Sequence, residues 1–379
     1  MIRQAHHWAA LVLPASLMLQ LFSTFIGGAF RRPRRATWLL LFATLVLTLV
    51  AGWSGYAMPD DSLSGTGLRI MHGLLLGIPL IGPPLTFLLF GGEFPGRIIE
   101  TLYPLHVYVV PGLMALVIGW RVRLALAQGR SVARGSSDTT GRFNVIPARA
   151  QIARTAGLAF IAAGVLVLMA ATMTVSPIWL YGPAESDTAS GGSQPDWYLG
   201  FLDGALRLVP PGWEVTLWGG TWALGLLVPL AVVTTFIALV AAAPFVDGWV
   251  TKDSSDHESV ERARDAPTRS GAGVAAVVFY GVLLIAGGVD VIGTHLDLAF
   301  ETLIVILRVL LILGPIMAFT LTRAVCVGLR EQDRAAELSG AETGIITRRA
   351  DGGYIGGHGP SLAAGEPRAQ IADVTAASR

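Results

Sequence analysis

Ile70-Met71-His72-Gly73-Leu74-Leu75-Leu76-Gly77-Ile78-Pro79-Leu80-Ile81-Gly82-Pro83-Pro84-Leu85-Thr86-Phe87-Leu88-Leu89-Phe90 is the stretch on which the topology turns. It is apolar and about as long as a membrane-crossing helix, which needs about 20 residues. It also carries three prolines, Pro79, Pro83 and Pro84, and three glycines. Each proline removes a helix donor, and the freed carbonyls cannot be left facing lipid. The arginines decide between the two readings. Clusters follow four other apolar blocks: Arg31, Arg32, Arg34 and Arg35; Arg121, Arg123, Arg130 and Arg134; Arg262, Arg264 and Arg269; Arg323 and Arg330. If 70–90 does not cross, all four fall on one side, as cytoplasmic cations should. The sequence therefore predicts a helical hairpin on the outer surface, the N-terminus outside and the C-terminus in the cytoplasm.

The rest of the 379-residue chain fits that frame. Hydrophobic residues make up 53% and charged residues 14%, too few charges to coat a soluble fold, which runs near 25%. The expected class is an all-α, polytopic transmembrane bundle of about seven spans. They are placed at 6–29, 37–58, 103–127, 154–176, 215–245, 272–293 and 298–325. The expected layout is a bundle domain at 1–128, a cytoplasmic linker at 129–152, a second membrane domain at 153–330, and a largely unstructured cytoplasmic tail at 331–379. A single cysteine, Cys326, excludes a disulfide framework and any cysteine-rich metal site. A net charge of +1 gives no pull toward nucleic acid. No cleavable leader is expected at the N-terminus.

Seven histidines are present, and three of them, His6, His7 and His106, fall in strong spans. Ionisable groups in a membrane need a reason to be there. The first and third spans are parallel, and His6 and His106 sit at one depth near the outer face. Two neutral imidazoles facing across a bundle can ligate a haem iron from both sides. They can equally be interfacial groups bonded to headgroups or backbone, and spacing alone leaves both open. His7 points about 100° away from His6 and reads as interfacial. Glu301 and Arg308 share one face of the last span, and Asp290 lies near a span end.

Several segments together resemble cytochrome b of actinobacterial quinol–cytochrome c reductases. They are Arg3-Gln4-Ala5-His6-His7-Trp8, Gly28-Ala29-Phe30-Arg31-Arg32-Pro33-Arg34, Gly55-Tyr56-Ala57-Met58-Pro59-Asp60-Asp61, Gly91-Gly92-Glu93-Phe94-Pro95-Gly96, Pro195-Asp196-Trp197-Tyr198 and Ala341-Glu342-Thr343-Gly344. They run in family order from residue 1 to about 355. The resemblance implies that His6 and His106 are the axial ligands of an outer, low-potential haem b, with Arg3 toward its propionate. It implies that Pro195, Asp196, Trp197 and Tyr198, with Tyr56, form the quinol-oxidation loop. There Asp196 is the proton acceptor, and Tyr198 and Tyr56 supply hydrogen bonds. The implied substrate is menaquinol or a similar quinol. The implied partners are an iron–sulfur (Rieske-type) subunit and a cytochrome c subunit, in a lipid membrane, with room for a homodimer.

The chain departs from that pattern. The family's inner haem takes a second histidine fourteen residues after each outer one. Here those positions are Gln20 and Trp120, and Ser23 stands where a propionate-binding arginine would. The inner haem is expected to be lost, with Trp120 filling part of its volume. Thr101 replaces another family arginine, and the family's first helix has no counterpart before residue 1. Two functions follow: a one-haem quinol-oxidising subunit, or a haem-free paralogue kept as a structural membrane subunit.

Overall fold

The computed structural model describes residues 1–128, 132–133, 148–185, 190, 193–253, 255–257, 259–339, 342–348, 352 and 354–358. Twelve α-helices are present among them: α1 Ile2–Ile26, α2 Arg35–Tyr56, α3 Ser62–Leu76, α4 Gly82–Phe90, α5 Ile98–Pro104, α6 Val110–Gln128, α7 Ala148–Thr172, α8 Gly200–Arg207, α9 Leu224–Thr251, α10 Pro267–Gly287, α11 Val289–Leu296 and α12 Phe300–Ser339. A single π turn, Leu105–Val109, joins α5 to α6. Among the described residues seven helical segments are long and apolar enough to cross a membrane, with α5 and α6 counting as one. The chain is a multi-pass helical membrane protein.

The stretch 70–90 is a hairpin, not a crossing. α3 and α4 fold back on each other through 77–81, and neither qualifies as a span. Asp61 caps α3, accepting from Leu63 N at 2.9 Å and Ser64 N at 3.2 Å, while Ser64 Oγ takes the Asp61 N–H at 3.1 Å. Pro83 falls at the start of α4, where its missing donor costs nothing. Leu68, Phe90, Ile98 and Leu102 bury themselves between the hairpin and α5.

The described parts of the arginine clusters gather at one end of the bundle, Arg130 and Arg134 lying outside the described residues. Arg31 sits between Asp247 at 2.8 Å and Glu261 at 3.4 Å, and Glu261 also holds Arg269 at 2.6 Å. Arg269, only 5% exposed, donates to the last carbonyls of α1 at Ile26 O. Arg264 pairs with Asp333 at 2.8 Å. Gln128, at the end of α6, donates to Pro33 O at 3.1 Å. Loops that follow four different spans thus meet, which requires that 70–90 not cross.

Apolar packing fixes the helices. Leu17 and Leu21 of α1 meet Trp38, Leu41 and Leu45 of α2 and Ala243 of α9. Pro244 cannot donate to Val240 O, four residues back. Trp38 Nε1 donates there instead, at 3.1 Å, so that the missing donor leaves no orphaned carbonyl in the membrane. α8, α10, α11 and α12 form a second core of Phe201, Leu283, Ala286, Val289, Ile304 and Leu307. There Gly204 lies directly on the backbone of α10 at Leu283 and Gly287, a small-residue contact typical of membrane helices.

Four sequence expectations need correction. The span placed at 215–245 begins at 224. Its first residues instead form a hairpin, β2 Glu214–Leu217 paired antiparallel with β3 Gly220–Ala223. Trp218 and Gly219 both take positive φ at its tip, a turn that an apolar run conceals. The span at 272–293 is two helices, α10 and α11, broken at Gly288. The tail is not unstructured from 331: α12 continues to Ser339, and β5 Glu342–Arg348 pairs with β6 Tyr354–His358. Trp120 fills no interior volume, being 61% exposed on α6. Most of the expected linker, 129–131 and 134–147, and the tail from 359 onward lie outside the described residues. Of the linker, β1 Val132–Ala133 pairs in parallel with β4 Ser259–Val260.

Candidate functional site

The two histidines singled out by spacing meet. The rings of His6, on α1, and His106, in the π turn, lie 6.0 Å apart, centre to centre, at 85° to each other. Two imidazole nitrogens each about 2.0 Å from one shared ion put the ring centres roughly 6 Å apart. The π turn has a local cause. Pro111 cannot donate to Val107 O, so the helix rewinds, and Val110 N reaches back to Leu105 O.

His106 is also oriented as an axial ligand should be. Its Nδ1 lies 2.9 Å from Ala51 O and 3.2 Å from Ser54 Oγ on α2. A proton on Nδ1 given to that carbonyl leaves Nε2 as the free lone pair, the usual support of a metal-bound imidazole. Gly55 makes room: a Cβ there would come within 2.6 Å of His106 Cε1. These residues fit a bis-imidazole haem. Gln20, the counterpart on α1 of the second position, is exposed, and its carbonyl accepts from Ser23 Oγ at 3.0 Å. Neither it nor Trp120 offers an axial nitrogen of that kind. Among the described residues no cluster of three or more His, Cys, Asp or Glu side chains could hold a bare metal ion.

The second half of the site is the 195–198 loop. Segments 59–64 and 181–185 are stitched together by Ser62 N to Gly182 O at 3.1 Å, Ala184 N to Asp60 O at 3.0 Å and Ser62 Oγ to Tyr181 O at 2.7 Å. Tyr56 OH, at the end of α2, donates to Leu63 O and Gln194 O, both at 3.3 Å. This anchors Pro195, after which Trp197–Leu199 form a short 3-10 turn leading into α8. Trp197 Nε1 donates to Leu11 O of α1 at 3.1 Å. Tyr198 is fully buried and lies against Gly52 of α2.

An acid at the start of a helix would ordinarily cap it. Asp196 occupies the cap position but makes no side-chain cap bond. Tyr198 OH donates to its Oδ2 at 2.8 Å, and His7 Nε2 lies 3.4 Å from its Oδ1. Burial, and then the neighbouring carboxylate, push the Tyr198 phenol well above its usual range, so it remains a proton-bearing donor at any working pH. His7 is thus no interfacial bystander: its side chain and that of Asp196 are each 16% exposed, and they face each other. Its partner is 189 residues away in sequence, and no local signal marks the pair. Asp290, near a span end, is ion-paired with Arg207 at 3.1 Å and accepts from Gln194 Nε2 at 2.8 Å.

Arg3 donates from Nη2 to Ser176 O at 2.9 Å and lies over the Trp179 ring. Beside it Gln4 pairs in both directions with Val175, and Trp8 Nε1 donates to Met173 O at 2.9 Å. The first turns of α1 are thereby fastened to the strand of chain leaving α7.

Gly52 and Gly55 sit one turn apart on α2 and serve different halves of the site. Gly52→Ala is expected to displace Tyr198 and Gly55→Ala to displace His106, each an overpacking of about 1–3 kcal/mol. On the expectation that Tyr198 lines a quinol pocket and His106 ligates a haem, the first should lower turnover about tenfold while leaving any haem absorbance intact. The second should lower haem content. Kinetics and visible spectra of both variants separate the effects, and an identical phenotype for the two would refute this division.

Comparison with known proteins agrees with the geometry. Residues 11–183 match the family model described as cytochrome b(N-terminal)/b6/petB. The cytochrome bc1 complex cytochrome b subunit of Streptomyces coelicolor is 40% identical over 362 residues, 95% of this chain and 66% of that one. Its counterpart in Mycobacterium leprae is 38% identical over 364 residues, 95% and 65%. This chain spans a little less than two thirds of the length of these relatives. A solved structure titled "Hyperthermophilic respiratory Complex III" superposes with a TM-score of 0.61 at 19% identity, over 86% of this chain and 79% of that one, a likeness of fold alone. On sequence similarity across nearly its whole length, this chain belongs to the cytochrome b family.

Proposed function

We propose that the chain is the membrane-embedded, quinol-oxidising cytochrome b subunit of a quinol–cytochrome c reductase, holding one haem b between His6 and His106. The observation that carries this reading is the facing of those two imidazoles at 6.0 Å, with the Nδ1 of His106 already taken up by Ala51 O. A haem bound there supplies a one-electron acceptor. The chain's own residues supply the proton chemistry. Asp196 accepts a proton from the quinol hydroxyl. Tyr198 keeps its phenol on Oδ2 and so holds the carboxylate rotamer. Tyr56 and Trp197 fix the loop through backbone carbonyls. Arg3 acts by tethering the end of α1.

The quinol is of the menaquinol class, one of its two electrons goes to a Rieske-type iron–sulfur subunit and the other to the haem, and a cytochrome c subunit completes the assembly. The arginine-rich end of the bundle faces the cytoplasm, by the asymmetry of cations, and the His6 end faces out. Domain limits follow the same division: a haem-bearing unit to about 128 and a second membrane unit from 153 to about 330. Pyridine haemochrome assay of the purified complex should return one b-type haem per copy of this chain. Two would restore an inner site despite Gln20 and Trp120, and none would favour a haem-free structural paralogue.

A further inference from the structure

A second polar site lies in the C-terminal half, away from the histidines. Between the end of α8, the start of α9 and the first turns of α12 is a cleft of about 650 Å³. Its walls include Pro210, Pro211, Ile304 and Val305, and its charged residues are Arg207, Glu301 and Arg308. Arg207 is committed to Asp203 at 2.8 Å and Asp290 at 3.1 Å. Arg308 donates through Nε to Leu208 O at 2.7 Å, and among the described residues its Nη groups have no acceptor. Glu301 is exposed and has no partner among the described residues. Glu301 and Arg308 do not pair with each other. Seven residues separate them by about 10 Å along the helix axis, too far for a direct contact.

An apolar helix face that keeps one free cation and one free anion in a membrane asks for a ligand that carries both. We propose that this cleft binds a zwitterionic phospholipid with a primary ammonium headgroup, phosphate on Arg308 and ammonium on Glu301. The spacing fits a phosphate and an ammonium joined by a two-carbon link, with a charge-assisted hydrogen bond of about 2.8 Å at each end. The order along the helix fits too. Glu301 stands in the first turn of α12, at headgroup level, and Arg308 two turns deeper, where phosphate lies beneath the ammonium. Ile304 and Val305, between them, offer apolar surface to the glycerol and the first acyl methylenes.

The test uses the intact complex in nanodiscs of phosphatidylethanolamine mixed equally with phosphatidylglycerol, then gentle delipidation and mass spectrometry of retained lipid. The wild type should retain about one phosphatidylethanolamine per chain at this site. Glu301→Gln should reduce the preference for phosphatidylethanolamine over phosphatidylglycerol about tenfold, and Arg308→Gln should reduce retention of either lipid about tenfold. Because Arg308 also holds the Leu208 carbonyl, Glu301→Gln, which breaks no bond among the described residues, is the decisive variant. Equal retention of the two lipids by the wild type would overturn the proposal, as would an unchanged preference in Glu301→Gln. So would a photo-crosslinker at 301 that captures a polypeptide instead of lipid.

Discussion

Replacing His106 by Ala should empty the haem site. One of two axial bonds disappears, and with it the contact between the π turn and Ala51 O. Loss of outer-shell partners alone typically costs about 10–100-fold in metal affinity, so loss of the ligand itself should cost at least 100-fold. The absorbance of the b-type haem in the purified complex should fall to background, and quinol oxidation with it. The fold should survive. His106 is only partly buried, and the apolar contacts of α5 are made by Ile98 and Leu102. Assembly of the complex, judged by size exclusion, is therefore the control. A spectrum unchanged from wild type would remove His106 from the site, and with it the reading of the 6.0 Å pair as ligands.

Asp196→Asn should separate the proton from the electron. Asparagine has nearly the same shape and still accepts from Tyr198 OH, so the loop should keep its place. It cannot take up a proton. A positioned general base contributes about 10²–10⁴-fold, and kcat for quinol oxidation should fall within that range while the haem spectrum is retained. Asp196→Glu should recover part of the rate, since the base returns with an altered reach. Tyr198→Phe should cost less, about tenfold, because it removes one hydrogen bond to a charged group, worth about 1.5–3 kcal/mol when buried. Should Asp196→Asn turn over at the wild-type rate, another group receives the proton, and the 195–198 loop has only a structural part.

Much of this architecture could be read from the chain before any coordinates. The membrane helices announce themselves by length and hydropathy. The hairpin at 70–90 followed from prolines and from the bookkeeping of arginines, which the ion pairs around Arg31 and Arg269 bear out. His6 and His106 were visible because parallel spans carry equal depths to equal positions. What stayed hidden depends on contacts between distant segments. Asp196 reads equally as a helix cap, and only the absence of a cap bond and the approach of His7 tell otherwise. Gly52 and Gly55 look like ordinary small residues in a membrane helix until Tyr198 and His106 are seen resting on them. The β2–β3 hairpin carries one charge, Glu214, and runs without a break into the apolar helix that follows, so a long window merges the two, and the positive φ at Trp218 is a conformation no bulky residue announces.

One turn of α1 links the two chemistries. His6 and His7 are consecutive and aimed about 100° apart, the first toward His106 and the second toward the carboxylate of Asp196. No screw displacement of this rod can adjust one contact without disturbing the other. A substitution that alters the His6–His106 pair by shifting α1 therefore also moves His7 against Asp196. The two contacts must drift together through mutation, as a single inherited trait.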